Sequence, residues 1–489
     1  MKKRIIILTA FTLLATSCDD GFAEMNVNPA AASNIDVGYK FTSLLLETSA
    51  NRYVAWRANL IYGSTMIQHF AATAGYWTGD KYTLNEGYSA SLMDTYYQGC
   101  AKVVQDILNQ IDAEEKPAEM KAIARIMRVF IFHRLTDMHG NIPYSEAGKG
   151  YSDGILQPKY DAQKDIYADM LKELDEAASA LSSGTSGFGS QDFMYNGDQG
   201  KWKKFAYSMM LRLGMRMSKV DAAGAESWVK KAIVGGVMTS NDDIAYIIHT
   251  TESGLNKNGN GEVFSADGNM RISKTFIDFL TGDPRLDVYA QPGAGGHKGL
   301  PNGYSSSTLK EATGEANLDN YSQPNRVSGT GITGEDDPMF FQTYAEVELL
   351  LAEAAERGWG DGDAAGHYNK GVTAAMKYLA LYGGTEITDA AITTYLTANP
   401  YSSANGLEMI GNQVWAATFL NEYEGYANWR RTGFPTLTPV NYPGNVTNGT
   451  IPRRMIYATG EKSRNTANYE AAVAAQGADN LTTRVWWDK

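Results

Sequence analysis

Two cysteines, Cys18 and Cys100, in 489 residues are too few for a disulfide framework, and redox chemistry is not the theme of this chain. An excess of base is also missing, since 43 Lys plus Arg face 55 Asp plus Glu for a net charge of −12. Nucleic-acid binders draw most of their affinity from clustered Lys and Arg that neutralise phosphates, and no long basic run is present, so that class is excluded. The apolar stretch Ile5–Ala15, at about 1.5 Å of helical rise per residue, cannot cover a hydrocarbon core of about 30 Å and is not a membrane span.

Catalytic signatures are equally scarce. Gly150-Tyr151-Ser152-Asp153-Gly154 has the spacing of a hydrolase elbow, but turn-rich residues precede it and Pro158 follows too soon for the required helix. Ser152 reads as a loop serine. Gly329-Thr330-Gly331-Ile332-Thr333-Gly334 has the spacing of a dinucleotide loop, yet Glu335, Asp336 and Asp337 would repel a pyrophosphate. There is no P-loop, and no two of His69, His133, His139, His249, His297 and His367 stand at helical i, i+4 spacing beside a Glu. Carboxylate pairs of glycosidase type cannot be recognised from sequence. No metal, cofactor or catalytic residue is expected.

What is present begins at the N-terminus. Lys2, Lys3 and Arg4 precede the apolar stretch, and small residues lead to Cys18 in Leu14-Ala15-Thr16-Ser17-Cys18. That is a secretion signal with a loose lipobox, which makes Cys18 the lipidation site. Residues 1–17 read as a lipoprotein signal peptide, 18–36 as lipidated Cys and tether, and 37–489 as one domain. Acyl chains, at about 0.8 kcal/mol per buried methylene, hold such a protein on a bilayer without a spanning segment.

From Val37 to about Val234 apolar residues recur at helical spacing. Helices are expected near 39–50, 55–71, 91–111, 118–136, 163–181, 202–217 and 225–234. In 202–217, Trp202, Phe205, Ala206, Met209, Leu213 and Met217 form one stripe, which reads as core, while Lys203, Arg212 and Arg216 lie elsewhere. Residues 343–357 form another helix stopped by Gly358, and a second starts at Asp363 as N-cap. Ala345, Ala352, Ala355 and Ala375 permit close crossing of this pair, whose span approaches the tetratricopeptide period. Between about 290 and 338 the chain is Gly-rich and lacks apolar runs. No helix or buried strand is expected there, only a disordered segment or a binding surface. The fold class is thus mainly α, with stacked tetratricopeptide-like helix pairs, a loop-rich irregular region and few short strands.

Five segments carry a resemblance. They are the run FHRLTDMHGNIPYSEA from Phe132 to Ala147, in which Gly140 closes a helix and Pro143 forbids its resumption; Lys201-Trp202-Lys203-Lys204-Phe205-Ala206; Asp283-Pro284-Arg285-Leu286-Asp287; the helix at 343–357; and Trp415 through Glu422, Glu424, Trp429, Arg430 and Arg431 to Phe434, ahead of Pro452-Arg453-Arg454 and Asn465. In this order, behind a lipoprotein signal, they resemble the SusD/RagB family of outer-membrane nutrient-binding lipoproteins, in a divergent SusD-like branch. The acidic Asp19 and Asp20 after Cys18 look like the surface-export tag of such lipoproteins in Bacteroidetes-type bacteria. The resemblance implies a non-enzymatic protein, lipid-anchored on the cell-surface side of the outer membrane. It would bind nutrient oligosaccharides and deliver them to a TonB-dependent, SusC-like transporter barrel. Peptide binding is the alternative within the family, and a structural adhesin or a glycan-acting hydrolase the alternatives outside it.

A glycan site needs flat rings for sugar faces and nearby amides or carboxylates for hydroxyls. Gly75-Tyr76-Trp77-Thr78-Gly79-Asp80-Lys81-Tyr82 offers three rings in an expected loop. Trp77, assisted by Tyr82 and Tyr76, is the candidate stacking platform, with Asp80 as hydroxyl acceptor; the same rings could instead pack the loop onto the helices. Tyr304 and Tyr321 are further candidates. Of the adjacent Trp486 and Trp487, at least one must turn inward. Arg430 and Arg431 read as a structural device bonded to carboxylates such as Glu424.

Overall fold

The structure, a computed structural model, describes residues 35–252, 256–327, 329–384 and 386–489. The proposed signal, Cys18, Asp19 and Asp20 lie outside the described residues. Helix starts follow their local chemistry. Asp36, Asp198, Asp221 and Asp363 each accept a backbone N–H of the first turn, as Ser273 and Thr343 do for theirs. These side chains satisfy donors that the helix itself leaves orphaned. Gly140 ends the helix Ala118–His139 at φ 88, a conformation few other residues adopt, and Pro143 then joins a short strand.

The helices pack in succession. Lys102–Ala113 lies on Ala118–His139, which meets Gln163–Ser179; that helix meets Gln199–Arg216, which in turn contacts Ala222–Gly235 and Tyr344–Glu356. Tyr344–Glu356 and Ala364–Lys377 form the expected hairpin, with Gly371 so close that a Cβ there would lie 2.7 Å from Leu349 Cγ. Gly406–Ala417 and Glu422–Thr432 continue the array and return it to the segment Arg52–Ser64, an α-turn at Arg52–Val54 followed by π-helical Ala55–Ser64. Strands among the described residues form antiparallel pairs only: Phe70–Ala72 with Met270–Ile272, Ile142–Pro143 with Tyr160–Asp161, Ala245–Ile247 with Met339–Gln342, and Ala290–Gln291 with Gln323–Pro324.

Two expectations are corrected. Residues 290–338 are neither featureless nor all surface: Ser306–Thr313 is a helix with a Ser305–Thr308 capping box, and Leu300, Leu309, Tyr321 and Ala71 form a small apolar cluster of their own. Dispersed single apolar residues, rather than a run, make that cluster. The partner of Arg431 is Glu353, at 2.5 and 2.6 Å, not Glu424, while Arg430 donates to the carbonyls of Asp137 and Arg453. Glu424 is instead held by Arg216 at 2.6 Å and His133 at 2.9 Å. Arg212 and Arg216, off the apolar stripe of their helix, are buried all the same.

Burial alone would raise the Glu353 carboxyl, but Arg431 and Arg357 outweigh it and bring it to about 2. A group depressed below its unfolded value of about 4.5 contributes stability above that pH and loses it as pH falls toward about 2. Urea midpoints measured from pH 7 down to pH 2.5 on wild type and Glu353→Gln should therefore converge below about pH 4.5. A constant gap would disprove the assignment.

Candidate ligand site

The strand pair Phe70–Ala72 and Met270–Ile272 brings together two segments far apart in sequence. One leaves the first strand through Ala74 and Gly75 to Tyr76 and Trp77. The other ends the helix Gly259–Ala266 at Asp267 and enters the second strand through Asn269. Asp267 is buried, and its Oδ2 accepts hydrogen bonds from the Tyr76 hydroxyl at 2.8 Å, Trp77 Nε1 at 3.1 Å and Trp56 Nε1 at 3.2 Å. Its Oδ1 accepts from the backbone and side chain of Asn269, both at 2.9 Å, and the same Asn269 amide donates to the Tyr76 hydroxyl at 2.8 Å. Several charge-assisted bonds on one carboxylate fix three aromatic side chains in place.

The result is an open cleft of about 400 Å³ walled by Trp56, Tyr76 and Tyr88, with Arg52, Val263, Ala266, Asp267 and Asn269 around them. Trp56 lies 6.0 Å from Tyr76, edge to face, and 5.9 Å from Tyr88 between ring centroids. Beyond Tyr88 the guanidinium of Arg57 sits 5.0 Å from its ring and 4.9 Å from that of Tyr53, which is 55% exposed. Burial, followed by the Asp267 carboxylate, pushes the Tyr76 phenol up to about 12, so it remains a neutral donor.

The placement of the sequence candidates is therefore mixed. Tyr76 is at the cleft, 36% exposed. Trp77 is fully buried, so it cannot offer a face to a ligand; its indole N–H braces Asp267 from behind. Asp80 is also fully buried and accepts from Asn302 at 2.7 Å and the Gly303 N–H at 3.0 Å, which removes it as a hydroxyl acceptor. Tyr82 is buried at φ 54, its hydroxyl accepting from the Val440 N–H at 3.4 Å. Gly79 is required for close approach rather than for display, since a Cβ there would sit 2.2 Å from the Ile61 carbonyl oxygen. Tyr321 is buried in the small apolar cluster, and only Tyr304 stays partly exposed, in a separate opening. Inward packing of the loop, the other reading of its rings, accounts for Trp77, Asp80 and Tyr82. Trp487 turns inward and donates to Asp137 at 3.0 Å.

Sequence reasoning missed Trp56, Tyr88, Arg52, Asp267 and Asn269. A signal existed for the first: Tyr53, Trp56 and Arg57 share one helix face at i, i+3 and i+4, and a ring flanked by cations on a polar face is not core. Elsewhere, His133, Asp137 and Glu424 bring ligand-type atoms within 4.8 Å of one another, but Arg212 and Arg216 already supply the positive charge there.

A stacked-helix scaffold that displays an aromatic cleft is the architecture of a binding protein. The chain belongs to the SusD-like family, whose model, described as "Starch-binding associating with outer membrane", matches residues 29–458. A solved structure named as a chitin-binding protein is 35% identical, with a TM-score of 0.85 over 93% of this chain and 100% of that one. A SusD homolog from Bacteroides uniformis ATCC 8492 is 25% identical, with a TM-score of 0.78 and coverage of 93% and 100%. A chitin-binding SusD homolog from Flavobacterium johnsoniae, 24% identical, shares the fold with a TM-score of 0.77 over 93% of this chain and 97% of that one. No curated protein matches the chain. Among the described residues no helix is long and apolar enough to cross a membrane.

Loss of the buried Trp77 indole creates a large cavity and removes one of the hydrogen bonds to buried Asp267, so Trp77→Ala should destabilise the protein by about 3–5 kcal/mol. Urea unfolding measures this, and an unchanged midpoint would return Trp77 to the surface.

Proposed function

We propose that the Trp56 cleft binds a neutral oligosaccharide, a β-1,4-linked N-acetylglucosamine chain of chitin type, and holds it without cleaving it. The observation that carries this reading is the Asp267 brace, which sets Trp56 and Tyr76 together in the lining of one opening. A sugar ring presents an apolar face to an indole and hydroxyls or acetamido groups to Asn269, Arg52 and the Tyr76 hydroxyl. The name of the 35% identical relative supports the choice of chitin over other glycans. The protein would be anchored by lipid on Cys18, face outward, and pass its ligand to a TonB-dependent, SusC-like barrel; the family's association with the outer membrane and the sequence before residue 35 support that placement.

Stacking on one indole face buries on the order of 80 Å² of apolar surface, about 2 kcal/mol or roughly thirty-fold in affinity. Titration calorimetry with chitohexaose should show that loss for Trp56→Ala, measured per folded molecule at a temperature well below the variant's unfolding, since the change also removes one hydrogen bond to Asp267. Chromatography of the same mixtures should show intact hexamer. Unchanged affinity would reject the cleft, and chain shortening that is abolished by changing a single carboxylate would reject the binding-only role.

For the anchor, Cys18→Ala should release the protein from the outer-membrane fraction of cells. Retention of that variant, accessible to protease on intact cells, would show that another element holds it.

A further inference from the structure

A second opening, of about 600 Å³, lies on the other side of the turn Thr78–Lys81, between the chain around Asn302–Tyr304 and the chain at Thr438–Pro443. Nothing in the proposed function uses it. Its two rings, Tyr304 and Tyr442, are both partly exposed, and neither hydroxyl has a hydrogen-bond partner among the described residues. That sets them apart from Tyr76 and Tyr82, whose hydroxyls are engaged by Asp267 and Val440.

The surrounding chain is tied in place by hydrogen bonds from buried groups. Buried Asp80 accepts from Asn302 and Gly303 on one wall, and the Tyr82 hydroxyl accepts from Val440 on the other. Gln68 forms the floor in a left-handed conformation, φ 59. Its amide donates to the Thr438 carbonyl at 2.6 Å and accepts from the Thr275 hydroxyl at 2.6 Å. A non-glycine residue kept at positive φ persists only where its surroundings over-determine it.

The chemistry of the lining selects a ligand class. Lys274 and Asp278, the charged side chains of the lining, pair with each other, so the lining carries no net charge to select an ionic ligand. An apolar ligand would strand the two phenols and the Asn441 side chain without water. A neutral sugar supplies both ring faces and hydroxyls. We infer that this opening is a second oligosaccharide subsite, separate from the Trp56 cleft, in which Tyr304 and Tyr442 contact a short stretch of uncharged glycan. The inference shares the carbohydrate reading above, and the two sites fail separately.

The test uses the full chain with the first cleft disabled in two ways, by Trp56→Ala and by Ala266→Trp, which fills it from an exposed position. Saturation-transfer NMR and calorimetry probe four hexaoses, of β-1,4-N-acetylglucosamine, β-1,4-glucose, β-1,4-xylose and α-1,4-glucose. Both backgrounds should still bind at least one of them. Adding Tyr304→Ala with Tyr442→Ala, or Asn441→Trp to fill the opening without deleting a ring, should weaken that binding at least about tenfold at an unchanged melting temperature. Absence of binding to all four hexaoses in the backgrounds, or binding indifferent to these changes, overturns the inference, as does a site that takes only peptides. Wild-type affinity in both backgrounds, lost on changing Tyr304 and Tyr442, would instead reject the Trp56 cleft and leave this subsite standing.

Discussion

Two arginines one helical turn apart tie together helices from distant parts of the chain. Arg212 forks onto Glu346 at 2.6 and 2.7 Å and donates to the Phe341 carbonyl, and Arg216 reaches Glu424 at 2.6 Å and Asp137 at 3.2 Å. His133 also bonds to Glu424, and the Trp487 indole and the Tyr167 hydroxyl both donate to Asp137. Helices starting at residues 118, 199, 344 and 422 and the C-terminal turn all meet in this one buried network. Burial works against the Glu424 charge, yet Arg212, Arg216 and His133 keep its carboxyl well below the carboxylate range. The net stability from such a network is small, because desolvation offsets most of the attraction; removing one partner is what costs about 3–5 kcal/mol. Its consequence is specificity of arrangement, since an alternative packing of these helices would leave charges buried and unpaired.

That arrangement is linked to the Trp56 cleft through the helices Gly406–Ala417 and Glu422–Thr432. Glu422 donates its backbone N–H to Asn59 Oδ1 at 3.0 Å, while the Asn59 amide donates to the Leu420 carbonyl at 3.0 Å. Gly63 allows the backbones to approach, since a Cβ there would lie 3.0 Å from Glu422 Cβ. Trp415 donates to the Ile67 carbonyl at 3.0 Å, and His69 pairs with Glu422 at 2.6 Å. The segment Arg52–Ser64 is thereby bolted to the network helix on its inner face. Its outer face carries Tyr53, Trp56 and Arg57, so these rings stand on a helical segment anchored to the scaffold rather than on a loop. Rigid rings lose little entropy when a ligand stacks on them.

Most of the helical scaffold was legible because periodicity and caps are local. The stripe at 202–217, the Asp363 cap, and the Gly140 stop before Pro143 are each written within a few residues. The site was not legible for the complementary reason: Asp267 meets Trp56 and Tyr76 across about two hundred residues, through a strand pair of three residues a side. No spacing rule links them. The reading of Trp77 as an exposed loop ring went wrong on context. A tryptophan between glycines reads as a loop ring and one within an apolar helix reads as core, yet here the glycine at 79 serves close packing, and the helix has a solvent face. The partner of Arg431 was missed likewise, because Glu424, seven residues upstream on the same helix, turns toward Arg216.

The ring-rich turn therefore has a different office from the one its composition suggests. From Trp77 to Tyr82 every residue is buried, and the side chains divide by direction. Trp77 fixes Asp267 and with it the first cleft, whereas Asp80 and Tyr82 fix Asn302, Gly303 and Val440 around the second opening. Lys81 ties the turn back to the Ala72 carbonyl at 2.6 Å, at the end of the strand that positions Tyr76. A stretch that looks like a binding loop is in this way a support behind two concavities, bonded to residues that line them. The rings Trp56, Tyr88, Tyr304 and Tyr442 come from other segments, whereas Asp267 and Asn302 each line an opening and also bond to this turn, which ties the polar part of both linings to it.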